Sequence, residues 1–380
     1  MAEQASTGAG AGGHGGKARR WRRIILGTVV VVLILLLVAS LVNVSEYAVT
    51  PGAALPVSAV LTPPAGRGHH VAEPVLYTYV EITQLRLIDY LTLWLHHHEQ
   101  LVSQQDLVGP GVPASELVAQ GALEMESAEQ AANVAALREL GYSVPGRDVG
   151  AVIAAVLRGT PASGALRVGE VLTSIDGHPT LTPAAAVTAI QSLRPGQSAT
   201  LTVSPYPWPQ HPPASKTVHV VLSSAHVDGR DVAFLGVELD RNPARSFDLP
   251  FTVAINPNNV GGPSAGLAFT LGILDTLSSG DLTGHAKVAA TGTMDAQGEV
   301  GPVGGVAEKA VAITRAGASV FLVPPQEYKK ARANVGPHVH VMAVSTLAQA
   351  LVDLRALRCP KKPSSCPLIP GASLAGGMAG

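Results

Sequence analysis

The chain has 380 residues, enough for two or three domains of ordinary size. Its formal net charge of -1 supplies no basic face, which argues against nucleic acid as a partner. Aromatic residues make up only 4% of it, so any core must be packed from small aliphatic side chains.

Met1 to Gly16 is rich in Gly, Ala and Ser, a composition that does not fold alone. Lys17, Arg19, Arg20, Arg22 and Arg23 then form a basic cluster, and Ile24 to Val42 follows with no charge in nineteen residues. That length crosses a bilayer once as a helix. The basic flank stays on the cytoplasmic side, so residues 1–23 are expected as a cytoplasmic tail and 24–42 as a transmembrane helix. Everything later would lie outside the cytoplasm, with the membrane itself as a partner. A cleaved signal peptide is the alternative. Val38-Ala39-Ser40 offers it a weak cleavage site, but the apolar span is long for a signal core.

Residues 43–144 read as strands and helices that pack on whatever follows. Tyr47 to Gly52 suggests an extended segment ending in a turn, and Val75 to Thr83 a strand. Leu85 to Leu95 is a helix candidate, and Ser115 to Leu140 a longer Ala-rich one interrupted by Gly121. The run His96-His97-His98-Glu99, with His69-His70 earlier, does not converge on one ion, because consecutive helical residues point about 100° apart. We read it as a solvated helix end and expect no metal and no cofactor. Cys359 and Cys366 lie near the C-terminus. Outside the cytoplasm they could close a small disulfide loop, and two free thiols are the other reading.

From 145 to 223 the pattern changes to short strands and turns. Val149 to Val156 leads into Gly159-Thr160-Pro161-Ala162 and then Leu166 to Gly177, which includes Gly169-Glu170-Val171-Leu172 and Ile175-Asp176-Gly177. This stretch resembles a bacterial PDZ domain of secreted proteases. The resemblance implies a mostly β fold with helices, in which Thr182 to Ser192 lines a peptide groove. Val149, Gly150, Ala151 and Val152 would be the loop whose N–H groups capture a terminal carboxylate. Pro205 to Pro213 holds too many prolines for a central strand.

Residues 224–358 alternate strands with helices, an α/β or α+β pattern. Strand-like runs are Val232 to Val237, Phe251 to Ile255, Lys287 to Thr291, Ser319 to Pro324 and Val339 to Val344. Within this region Gly261-Gly262-Pro263-Ser264-Ala265-Gly266 turns tightly into a helix, and the orphan N–H groups there could hold an oxyanion beside Ser264. Gly304-Gly305 leads into a second helix carrying Glu308 and Lys309. The residues three and four positions from Lys309 are Gly305, Val306, Ala312 and Ile313, none of them acidic, while Glu308 points in another direction. Apolar surroundings would lower the Lys309 pKa toward that of a general base, which a serine nucleophile needs.

Both motifs resemble the proteolytic domain of Lon proteases, as do Thr291 in Ala290-Thr291-Gly292 and the Gly298 to Gly305 run. The resemblance implies a catalytic Ser264/Lys309 dyad, Thr291 as the residue that orients the lysine, and Gly262, Pro263 and Ala265 as the oxyanion turn. It also implies polypeptide substrates and a homo-oligomer, commonly a hexameric ring. In order, the anchor, PDZ and Lon-type regions are similar to membrane-anchored PDZ-containing Lon-like proteases of bacteria. Two departures from ATP-dependent Lon enzymes stand out: no Gly-x-x-x-x-Gly-Lys-Ser/Thr loop occurs, and Gly261 stands where many of them have an acid. An ATP-independent serine endopeptidase acting on flexible or unfolded proteins follows, the rival being a PDZ-bearing adaptor with an inactive protease fold. Residues 359–380 are expected as a flexible tail.

Overall fold

The computed structural model describes residues 15–89, 100–103, 116–205, 215–227, 229–257, 260–278 and 281–371. The His96 to His98 run and all but the first residue of Pro205 to Pro213 lie outside them.

Helix α1, Gly15–Leu41, contains the apolar stretch Trp21–Leu41, with a mean hydropathy of 3.2 and no part buried against the rest of the chain. The chain passes straight from Leu41 into strand β1, Asn43–Pro56. The last carbonyls of a helix need outside donors. Here Ile88 donates its N–H to the Ala39 carbonyl at 3.1 Å, and Leu87 donates to that of Val42 at 2.9 Å.

Strand β2, Leu76–Arg86, pairs antiparallel with β1, which also pairs with β3, Gln100–Ser103. The expected helix from Leu85 therefore begins as strand, because Leu85 and Arg86 continue β2; residues 90 to 95 are outside the described part. Period-two alternation along β2 aims its side chains at two cores. Tyr77 packs against Phe269 with the rings tilted and their centroids 5.6 Å apart, whereas Leu76 packs with Val306, Ala310 and Ile313 on the opposite face. Helix α2, Glu116–Glu139, follows without a break at Gly121.

A second sheet begins at β4, Gly146–Val156, and β5, Glu170–Ile175. Helix α3, Pro183–Ser192, is capped by the Thr182 hydroxyl, which accepts from the Ala185 N–H at 3.2 Å. Strands β6, Ser198–Pro205, and β7, Lys216–Val221, extend the sheet; β8, Arg230–Phe234, forms a hairpin with Ser223–Val227. Strand β9, Val237–Phe247, closes the sheet, whose order is β9-β4-β5-β6-β7, antiparallel throughout. The boundary expected between 223 and 224 thus differs from the observed pairing. Its reason is long range: β9 finds its partner in β4, about ninety residues earlier, and no local pattern reports that.

The remaining elements complete the first sheet. They are α4, Gly266–Leu277; β10, Val288–Ala290; α5, Val306–Arg315; β11, Val320–Val323; α6, Tyr328–Asn334; β12, His340–Ala343; and α7, Leu347–Arg358. The order is β12-β11-β10-β2-β1-β3, with β12, β11, β10 and β2 parallel. Thus residues 43–103 supply half the strands of a mixed sheet shared with the 224–358 region. Helices α2, α4 and α7 cover one face and α5 the other. Cys359 and Cys366 are joined by a disulfide, and Ile369 is buried in the core, so part of the stretch expected as a flexible tail docks on the fold.

Gly305 opens α5 with φ 66°, and a Cβ there would meet Val80 Cγ1 at 2.6 Å. Both the left-handed backbone and the contact exclude a side chain. Gly305→Ala should lower the unfolding free energy by about 2–3 kcal/mol, read as a lower urea midpoint at unchanged m-value.

Candidate active site

Gly262, with φ 91°, turns the chain so that Pro263–Ala265 forms one tight helical turn leading into α4. Pro263 suits that first position because its missing N–H would be unpaired there. Helix α2 crosses this turn closely. The Gly262 N–H donates to the Gly121 carbonyl at 2.7 Å, and a Cβ on Gly261 would lie 3.1 Å from the Gly121 carbonyl carbon. Gly121 is thus a contact point, not an interruption.

Ser264 is half-buried, and its backbone is held from the sheet side. Its carbonyl accepts from the Gly292 N–H at 2.9 Å and from the Thr291 hydroxyl at 3.1 Å. Thr291 itself continues β10, donating its N–H to Leu322 O at 3.0 Å. Since the Thr291 proton is committed to Ser264, the oxygen lone pairs are left for a donor. Lys309 supplies it: its Nζ lies 3.3 Å from Thr291 Oγ1. The structure therefore brings Ser264, Thr291 and Lys309 together, and among the described residues the link between serine and lysine runs through Thr291.

Lys309 is only 2% exposed. Removal from water disfavours the charged form and lowers its pKa to about 8, while Glu327 and then Glu308 push back in the other direction. Glu308 is itself buried, at 3% exposure, so the neighbour expected to point away still acts on the amine. Beside Pro263, a 620 Å³ cleft lies between α2, the β4–β9 edge and Met294 to Gln297, with Glu124, Asp148, Asp240, Asp295 and Arg245 on its walls.

The expected peptide-capturing residues sit elsewhere than in a loop. Val149 to Val152 occupy the middle of β4, where Gly150 and Ala151 pair with Ala244 and Pro243 of β9, and Ala151 and Val152 with Leu172 and Val171 of β5. With both edges used, they leave no room for an added strand. The sheet has two outer strands, β7 and β9, and of these β9 lies across a 490 Å³ groove from α3. Val187, Ile190, Phe234, Leu235 and Val237 line it. The turn at its end is Leu235-Gly236, with Gly236 at φ 89°. The sequence signal is a glycine between apolar residues, Phe234-Leu235-Gly236-Val237, inside a run whose pattern alone reads as strand. Among the described residues, no group of three His, Cys, Asp or Glu side chains could hold a metal ion.

Comparison with known proteins supplies the class. Residues 254–354 match the family model of the Lon protease C-terminal proteolytic domain. The Lon protease of Helicobacter pylori is 32% identical over 110 residues, 28% of this chain and 13% of that protein. The Lon protease of Campylobacter jejuni is 34% identical over 94 residues, 24% of this chain and 12% of that one. The chain thus spans about an eighth of the length of the curated relatives it matches. Among solved structures, the PDZ domain of an SdrC-like protein from Listeria monocytogenes is 20% identical, covering 24% of this chain and 87% of that one at a TM-score of 0.20. Residues 254–354 are therefore similar to a Lon-type proteolytic domain, here with mixed α/β content, in a chain that also has an apolar N-terminal helix.

The Lys309 amine should titrate near pH 8, well below ordinary lysines, because burial outweighs the two acids. NMR of protein labelled with 13Cε-lysine checks this, with Lys309→Arg assigning the shifted resonance.

Proposed function

We propose that this protein is an ATP-independent, membrane-anchored serine endopeptidase that hydrolyses peptide bonds with a Ser264/Lys309 dyad. The observation that carries this reading is the chain of contacts from the buried Lys309 amine through the Thr291 hydroxyl to the backbone carbonyl of Ser264. Neutral Lys309 takes the Ser264 proton as the hydroxyl attacks a peptide carbonyl, then gives it to the leaving amine, and water releases the acyl group by the same route. Thr291 orients the lysine. Of the three residues expected in the oxyanion turn, Pro263 has no N–H and the Gly262 N–H is donated to Gly121, so Ala265 in the open first turn is the donor we assign, together with Ser264 itself.

An extended segment of an unfolded protein would add along the β9 edge under α3, and the cleft beside Pro263 would lead it to Ser264. The absence of a phosphate loop from the sequence supports independence from ATP. For anchoring, α1 supplies the span, and its final carbonyls are capped by Leu87 and Ile88, which favours a retained helix over a cleaved one. The Cys359–Cys366 disulfide fits an oxidising exterior, with the N-terminus in the cytoplasm.

Purified full-length protein in detergent should cleave casein without nucleotide, with activity rising from pH 7 to pH 9 as Lys309 loses its proton. Ser264→Ala and Lys309→Arg should each reduce turnover by at least about 100-fold, arginine because it stays protonated. Persistent cleavage by both would overturn the dyad, whereas no cleavage by the parent protein would favour the adaptor reading. For topology, an exterior-active reporter fused after Val42 should work and one fused before Ile24 should not.

A further inference from the structure

A neutral buried amine has two N–H donors and one lone pair. If the lone pair is to face the Ser264 hydroxyl, both N–H groups need acceptors elsewhere, since unpaired buried donors are rare. Thr291 Oγ1 provides one. The register of the sheet shows where the other is.

Strands β10 and β2 run parallel, with Ala289 beside Leu76 and Ala290 beside Tyr77, so the next residue, Thr291, comes alongside Thr78. Parallel neighbours lie about 5 Å apart and on one face. Helix α5 covers that same face of β2 at both flanking positions. Gly305 abuts Val80, and one to two turns further on, Ala310 and Ile313 pack with Leu76. Lys309 lies between those contacts along the helix, as Thr78 does between Leu76 and Val80 along the strand. On the other side Thr78 pairs with Ala54 of β1, which packs against the same cluster as α5. Thr78 is 1% exposed, and its Oγ1 has no hydrogen-bond partner. A hydroxyl buried without a partner is costly, and valine would fill the same volume without that cost.

We propose that Thr78 is a positioning residue whose hydroxyl accepts from the Lys309 amine opposite Thr291, so that the lone pair is aimed at Ser264. The two hydroxyls then act as a pair. Thr291 fixes the amine relative to the serine backbone, and Thr78 sets its rotation about the Cε–Nζ bond. Each also stabilises the ammonium formed when Ser264 attacks. The acids that act on Lys309 are Glu308 of its own helix and Glu327 from the turn before α6. Neither lies on the strands that carry the threonines.

This rests on the Ser264/Lys309 reading, and the test separates the two. In full-length protein in detergent, Thr78→Val should fold with undiminished stability yet lower kcat on labelled casein about tenfold at unchanged KM. Losing an acceptor for the ammonium lowers the Lys309 pKa, so the acidic limb of the pH profile should move to lower pH. Thr78→Ser should restore both. Independently of any activity, the 13Cε resonance of Lys309 should titrate at lower pH in Thr78→Val than in the parent protein. A valine variant with parental kcat and an unmoved Lys309 titration overturns the proposal, and so does an equal loss in valine and serine variants with the titration unmoved. Casein cleavage that survives Ser264→Ala would instead refute the dyad, while the titration still decides the role of Thr78.

Discussion

The interaction on which the structure most depends is the burial of one lysine amine against a threonine hydroxyl. Taking an ammonium out of water is costly enough that the group sheds its proton more readily instead, and that is the state a base requires. Keeping Lys309 dry needs α5 pressed flat on the sheet. Val306, Ala310 and Ile313 do this by packing on Leu76, Ala289, Phe321 and Val323. It also needs the helix to start at the correct height, which Gly305 secures by turning left-handed directly against Val80.

The serine is constrained from two sides by different parts of the chain. From the sheet, Thr291 and Gly292 grip the Ser264 carbonyl; from the opposite direction, α2 lays its Gly121 carbonyl on the Gly262 N–H. Helix α2 is held in turn by Asn133, whose side chain exchanges two hydrogen bonds with the Val253 backbone at 2.9 and 3.1 Å. Its C-terminal end carries Arg138, which donates to the carbonyls of Val144 and Ala296, each at 2.6 Å. The same helix therefore touches the entry to the second sheet, the turn that carries Ser264 and the wall of the cleft. A displacement of α2 would be felt at all three.

What the sequence revealed of this arrangement follows how local each feature is. Ser264 and Lys309 were legible because each motif is a glycine-led helix start, complete within six residues. The acidity around Lys309 was only half legible. The three- and four-residue spacing correctly finds no acid on its face, but Glu308 is buried beside it and Glu327 arrives from a turn eighteen residues later, which helical spacing cannot report. The groove was misplaced for a similar reason. Val149 to Val152 look like a glycine-containing loop until β9 pairs with them, and that partner is fixed by the fold, not by alternation in either segment. Gly121 looked like a helix break because glycine usually weakens helices; a helix crossing another backbone at close range needs the same residue.

The path of the chain couples the two halves more tightly than a linked pair of modules. Strand β9 is an outer strand of the second sheet, and its C-terminal end, Phe247, packs with Val134, Leu137 and Val144 beside Phe251, upstream of the turn that carries Ser264. The segment that leaves β9 is thus the one that leads into the turn of Ser264, and it is clasped by α2 at Val253 on the way. Anything that shifts β9 along its length must be absorbed between Phe247 and Gly261, where Asn133 already fixes the backbone. Since Gly262 is tied to the same helix through Gly121, strain at the groove would pass into the turn that carries Ser264, and not into a slack linker. The strand that ends at Phe247 and the turn that carries Ser264 are therefore tied to one helix.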